Sequence, residues 1–442
     1  MTDKTDVPIR TSKGEQGQTI VLVAVSLFAI LSMAALAIDV TTLYVASTEA
    51  QQAADAAALA GAKAFVTSGY TSYPAGFGTT NWVCNGSNGL ADYAAQSALA
   101  TNTVSGVVPT ITTSCDFSHA ENPSVTVRVQ RSALPIFFAR IWGASGPTAS
   151  STATAEAYNP SGGSVPTQLA GVKPWLVPNC VPGSPPDCST PLFVNADGTI
   201  SSSMAIGQTI ELSVKQTAGV LSFNSVAHKY DVYPLNIPAG SGPSCPAGYS
   251  LTGNYQDNIV CFNPAYLTCS SSTYTPPAGV YGPSVNGPSD DVVLDPAIDH
   301  GGGTLNGDTD IGTQSLIHAT GTGPTKGQDI FPSLSPGSPL LIQPGDHNPD
   351  VGLRSAQYIS RSDSIVSVPL FDGSNLCAGA TCSGVSRTTI VGFLQIAITQ
   401  SVGGGIVDAI VLNASGCGSA NSTTWLAGGG ISPIPVRLIQ TP

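Results

Sequence analysis

Ten cysteines carry the plainest chemistry in this 442-residue sequence. Cys84, Cys115, Cys180, Cys188, Cys245, Cys261, Cys269, Cys377, Cys382 and Cys417 all lie beyond the apolar N-terminal segment. No two of them form a CxxC pair, and the 5 histidines show no zinc-type spacing. An even set of thiols without metal spacing predicts disulfides, formed in an oxidising compartment. Spacing leaves the connectivity open. Proximity along the chain favours Cys84–Cys115, Cys180–Cys188 and Cys377–Cys382.

Other candidate chemistries lack their defining geometry. Asp290, Asp291, Asp295, Asp299, Asp308 and Asp310 form an oxygen-rich stretch, read either as solvated loop acids or as a Ca²⁺ loop, but without the DxDxDG…E pattern. Asp346 and His347 could form an acid–base pair, although a single loop histidine is more simply an exposed one. No GxSxG nucleophile elbow is present. Gly321 to Gly327 (GTGPTKG) lacks the phosphate-loop spacing and reads as a turn with Pro324 fixing its backbone. These residues imply no catalytic set, no resident metal and no cofactor.

Composition narrows the class further. Charged residues are 10% of the chain, against about a quarter in an ordinary globular domain. With 27 acidic and 15 scattered basic residues the formal charge is −12, which excludes nucleic acid as a partner, since a phosphate backbone demands clustered cations. Abundant Gly, Pro, Ser, Thr and Ala fit an exported, strand-and-turn-rich protein.

The element that must position all of this comes first in the chain. Thr19 to Ile38 is an uncharged apolar run, long enough as one helix to cross a hydrocarbon core of about 30 Å. Lys4, Arg10 and Lys13 precede it, and no further Lys or Arg occurs until Lys63. The positive-inside rule then places residues 1–18 in the cytoplasm and the bulk of the chain outside. A cleaved signal peptide is the rival, with Ala35-Leu36-Ala37 as its processing site. The helix signal continues without Gly or Pro as far as Ala60. Ala46, Ala50, Ala54, Ala58 and Ala62 recur four apart, with Ala53, Ala57 and Gly61 beside them, so one face is nearly bare and admits close packing. That face serves either the chain's own domain or a partner helix.

Gly17-Gln18, the apolar run, Ala37 to Val40, Leu43-Tyr44 and Gln51 to Ala62 (QQAADAAALAGA) together resemble the N-terminal signature of the TadE/TadG-like Flp (tight adherence, type IVb) pilus-assembly family. The resemblance covers about residues 14–65. It implies a bacterial, single-pass protein of the inner (cytoplasmic) membrane, with its N-terminus cytoplasmic and its bulk periplasmic or extracellular. Its partners would be the lipid bilayer and other pilus-assembly or pilin subunits, met through the N-terminal helix. Asp39, Tyr44, Gln52, Ala54, Asp55, Ala58 and Gly61 are the assembly and anchor residues it points to. Prepilins carry a Glu five residues after a cleaved Gly; here that position after Gly14 is Thr19. A tethered assembly component is therefore expected rather than a processed pilin. Asp372 to Asn375 (DGSN) lacks the second Ser of the DxSxS adhesion motif that many related proteins carry.

Downstream, Leu90 to Thr101 predicts a helix, as does the short apolar stretch Ala133 to Trp142. Val104 to Thr113, Ser124 to Gln130 and Thr148 to Ala157 predict strands, the second by clean alternation of Val125, Val127 and Val129 with polar residues. Further strands are expected at Thr209 to Lys215, Leu340 to Gln343, Ser364 to Leu370, Thr388 to Thr399 and Gly405 to Leu412, with no helix among them. The expected class is α+β. A tail (1–18), a transmembrane helix (19–38) and an alanine-rich stalk helix (39–65) lead into a small pilin-like α+β domain (66–158). A linker (159–168) and a strand-rich, disulfide-bearing extracytoplasmic domain (169–442) follow. The expected role is a non-enzymatic component of pilus assembly; a tethered or secreted adhesin-like module is the alternative.

Overall fold

A computed structural model describes residues 15–72, 80–161, 167–179, 191–214, 228–234, 244–268, 291–293, 304–331, 342–371, 387–417, 426–427 and 432–439, apart from breaks of one to four residues within these ranges. Cys180–Cys188, Cys377–Cys382, Asp290, Asp295, Asp299 and the Asp372 to Asn375 stretch lie outside the described residues. The class is α+β, with one long N-terminal helix followed by sheets.

Helix α1 (Glu15–Thr67) runs 53 residues without a break. Its lower half is apolar on every side and long and apolar enough to cross a membrane. Its upper half lies across a four-stranded antiparallel sheet of β1 (Thr110–Asp116), β2 (Ser124–Arg131), β3 (Ala149–Ala157) and β14 (Val436–Ile439), in that spatial order. The alternation of β2 does what its period dictates: Val125, Val127 and Val129 are all fully buried. Helix α2 (Leu90–Leu99) packs beside α1.

The predicted strand at Val104 begins late. Ser105 and Gly106 both take positive φ in a tight turn that bridges Val104 to Val107, so the strand starts only at Thr110. The stretch before β3 forms a short 3₁₀ turn, Ala139–Trp142, rather than a full helix.

The second sheet closes on itself. It contains β5 (Trp175–Pro178), β6 (Thr209–Val214), β7 (Lys229–Pro234), β10 (Ile365–Phe371), β11 (Arg387–Ser401) and β12 (Ile406–Gly416). Their order is β10-β5-β7-β6-β12-β11, and β11 pairs again with β10. The result is a six-stranded barrel that leaves no open edge on this ring. The β5–β10 and β6–β7 pairs are parallel; the remaining pairs in the ring are antiparallel. Strand β9 (Asp291–Val293) extends the start of β11. Strand β10 is buried along its whole length, because other elements cover the barrel from outside as well.

Two helices were not expected in this half. Helix α3 (Asn254–Val260) and helix α4 (Leu305–Leu316) pack together, Gly312 of α4 lying against Ile259. Thr304 caps α4 by accepting from the Gly307 amide at 3.2 Å. Asp310 then accepts from the amides of Gly404 (2.8 Å) and Gly405 (3.1 Å), which clamps the glycine turn joining β11 to β12. A small third sheet joins β4 (Thr167–Ala170) to β8 (Tyr266–Thr268) and β13 (Leu426–Ala427).

Cys84–Cys115 is bonded, as proximity suggested, and ties the turn before α2 to β1. Asp92 reinforces that turn from within, accepting from the amides of Asn85 (3.0 Å) and Gly89 (2.8 Å) and from the Thr113 hydroxyl. Cys245–Cys261 forms a second bridge across 16 residues, one that proximity did not single out. Cys417 is also disulfide-bonded.

Candidate assembly surface

The surface of α1 divides into three zones. The first is a belt of exposed apolar side chains from Ile20 to Val45, including Leu22 (71%), Phe28 (67%), Met33 (73%) and Tyr44 (74%). Burying a side chain of this size is worth about 1.5–3 kcal/mol. Leaving the whole belt in water would forfeit on the order of 20 kcal/mol. The hydroxyl groups within it and just above it are paired inside the helix. Ser26 donates to the Val23 carbonyl, Ser32 to Phe28, Thr41 to Ala37, Thr42 to Ile38, Ser47 to Leu43 and Thr48 to Tyr44, at 2.8 to 3.1 Å. A helix with its hydroxyls satisfied internally is suited to an environment without water.

The second zone is the small-residue face. Ala46, Ala50, Ala53, Ala54, Ala57, Ala58 and Ala62 are fully buried, against the chain's own β2, β3 and α2. A Cβ added to Gly61 would lie 3.2 Å from Val125 Cγ1 and 3.3 Å from the Ala91 carbonyl, so this is where three elements converge. Of the two occupants the sequence allowed for this face, the chain's own domain fills it.

The third zone is polar and outward. Gln52 is exposed, and Gln51 donates to the half-buried Asp55 at 2.7 Å where the helix borders β3 and β14. Tyr44 stands out one helical turn below Thr48.

Asp39 sits apart from these. It is 8% exposed, and its carboxylate accepts from the backbone amides of Phe138 (3.1 Å) and Ala139 (2.8 Å). It thus caps the start of the 3₁₀ turn from a second element, a role that neither hydropathy nor spacing signals.

Where α1 ends, a buried polar cluster joins it to the barrel. Asn413 of β12 donates to the Val66 carbonyl and accepts from Thr71 (3.0 Å) and Ser72 (2.8 Å). Ser72 is also bonded to both backbone groups of Ala414, and Asn159 donates to the Thr71 and Ala414 carbonyls. Gly69 makes the approach possible. Its φ is +78°, and a Cβ there would lie 2.3 Å from Ile206 Cγ2 and 2.6 Å from the Leu412 carbonyl.

Next to this junction lies a cavity of about 560 Å³, lined by Leu59, Lys63, Val66, Leu353, Asp363 and Ile434 among others. Its wall is mainly aliphatic. Asp363 pairs with His318 at 3.0 Å, an acid–imidazole pair the sequence did not indicate. No serine or cysteine is bonded to that imidazole among the described residues. His347 Nδ1 instead faces the His318 carbonyl at 3.3 Å, separate from its neighbour Asp346. Asp308 and Asp310 belong to α4, and Asp310 is committed to the hairpin clamp. No group of three or more potential metal ligands occurs among the described residues.

One more buried group stands out. Lys173 is enclosed and donates to the Cys261 carbonyl at 3.0 Å. Burial pulls its ammonium down to about 7, with Asp363 pulling weakly the other way. Burial also pushes the Tyr255 phenol upward. That phenol accepts from Trp175 Nε1 at 3.1 Å and shares a hydrogen bond with Thr309 at 3.0 Å.

Residues 17–64 match the Tad family model, which describes TadE/G-like Flp pilus-assembly proteins. No curated protein and no solved structure matches the chain.

Proposed function

We propose that this chain is a membrane-anchored, non-enzymatic component of Flp/Tad pilus assembly, similar to TadG. The observation that carries the reading is the match over residues 17–64, which coincides with the exposed apolar belt and the alanine face of α1. In this reading the belt crosses the inner membrane with the N-terminus cytoplasmic. The stalk lifts the barrel away from the bilayer on the outer side. Partner pilin or assembly subunits then meet the helix at Tyr44, Gln52 and Asp55, and meet the outer surface of the barrel. The alanine face contributes by fixing the helix rigidly to its sheet.

The test is deletion in the native bacterium. Loss of surface pili, restored by the full chain but not by Tyr44→Ala/Gln52→Arg, is the expected result. An adhesin-like tethered module is the second reading, favoured by the large barrel region beyond the matched residues. Normal pili with reduced attachment would select it. The N-terminus of the mature protein decides the anchor: a start at Met1 or Thr2 agrees with a retained span, and a start at Ile38 overturns it.

A further inference from the structure

We propose that Pro135, Ile136, Phe138 and Arg140, on the loop before β3, form a second membrane contact, held in the outer headgroup layer by Asp39. The inference rests on the reading of α1 as a membrane anchor and adds a lipid-binding element contributed by a distant part of the chain.

Depth along the helix is the first argument. From Ile20 to Ile38 the helix rises about 28 Å, close to the thickness of the hydrocarbon core. Asp39 therefore falls at the outer boundary of that core. The exposed apolar belt continues past it through Val40 (56%), Tyr44 (74%) and Val45 (48%), which carries the belt into the headgroup region. Whatever is bonded to Asp39 lies at this level, and the amides of Phe138 and Ala139 are bonded to it.

Burial is the second argument. Between residues 18 and 45 only Ala35 and Asp39 are buried, one turn apart on one face. The 3₁₀ turn Ala139–Trp142 touches α1. The loop thus covers a narrow strip of helix that already reaches into the bilayer boundary, while the rest of the circumference stays open to lipid.

Chemistry is the third. Pro135 is exposed, Ile136 and Phe138 are half-exposed, and Arg140 is exposed. Apolar groups next to a long cation suit the interface, where the arginine stem lies along acyl chains and its guanidinium meets phosphate. An ionised carboxylate at this depth is costly without hydrogen-bond donors. The two amides supply them, so the same contact that satisfies Asp39 brings the loop down to the lipid.

Nitroxide labels on the full chain in phosphatidylethanolamine/phosphatidylglycerol nanodiscs test this. Labels at Arg140→Cys, Ile136→Cys, Leu27→Cys and Val402→Cys are compared for collision with oxygen and with a water-soluble nickel chelate. The expected order places Leu27 deep in the core and both loop labels at the headgroup boundary. Collision with the chelate at the loop should be severalfold below that at Val402, on the barrel hairpin. Loop labels as open to the chelate as the Val402 label, with Leu27 deep, would overturn the inference and leave the anchor standing. A water-accessible Leu27 label would overturn both.

Discussion

Single polar side chains settle how the parts of this chain meet. Asn413 is the strongest case, because its amide serves three groups from the end of α1 in a fully buried place. Asn413→Ala takes the acceptor from the buried Thr71 hydroxyl and removes one bond each from the Ser72 hydroxyl and the Val66 carbonyl, which keep their bonds to Ala414 and to the Gly69 amide. Unsatisfied buried groups cost about 1–3 kcal/mol each, partly recovered by relaxation, so a loss of about 2–3 kcal/mol is expected in denaturant unfolding. An unchanged midpoint would show that the junction carries no stability. Lys173 gives a signed prediction in pH. Its folded-state pKa of about 7 lies below the ordinary 10.5, so between these values the unfolded chain holds more protons. Stability then rises with pH across that window, and the unfavourable contribution is fully present below about 7. Lys173→Met removes the slope. Wild type should gain on the variant from pH 7 to pH 10, by at most about 1.4 kcal/mol per pH unit. A constant difference would place the ammonium in contact with water. Neither residue was legible in the sequence. An asparagine in a strand and a lysine in a loop look ordinary until distant segments enclose them.

At the scale of elements, legibility followed locality. The long helix, α2 and β2 could be read because their patterns are complete within a few turns: unbroken apolar and alanine runs, and Val125, Val127 and Val129 at period two. Helix α4 could not, because LNGDTDIGTQSL holds two glycines and few apolar residues. Its helicity comes from the Thr304 cap and from packing on α3 and the barrel. Cys84–Cys115 was within reach for the same reason as β2, since both thiols flank one compact unit. Cys245–Cys261 joins thiols that proximity did not favour. Gly61 tests the packing of these elements. Alanine there gains about 1 kcal/mol of helix propensity but adds contacts at 3.2 and 3.3 Å, so Gly61→Ala should be nearly neutral. Gly61→Leu has no such offset. Overpacking against Val125 and the Ala91 carbonyl should cost about 2–3 kcal/mol, read as a lower melting temperature of the full chain in detergent. Equal melting of wild type and the leucine variant would mean that α1 and α2 do not meet as tightly as the geometry requires.

At the scale of the molecule, the decisive feature is that the stalk sheet and the barrel are joined at two places. The segment after α1 bonds to β12 of the barrel, and β14, far along the sequence, returns to pair with β3 beneath the stalk. That return is a strand of four residues, Val436 to Ile439, with no alternation to announce it. Only the closed pairing of a distant partner gives it a place. Its register is supported from the side: Arg437 pairs with Glu156 at 2.6 Å and lies 4.9 Å from the ring of Tyr158. The exposed ion pair itself is worth little. The backbone ladder and the cover it gives β3 matter more, since without β14 the strand becomes a free edge. Removing residues 435–442 should therefore weaken a sheet built almost wholly from residues 110–157. Amide exchange in β3 should accelerate about tenfold or more, the effect of losing roughly 1–3 kcal/mol locally. A barrel that simply rode on an independent stalk domain would show the opposite: faster exchange near the cut and unchanged protection from Ala149 to Ala157. Acceleration in β3 would make the stalk and the barrel one mechanical unit, so that a load applied to the barrel by a partner is carried through β14 and Asn413 to the C-terminal end of α1.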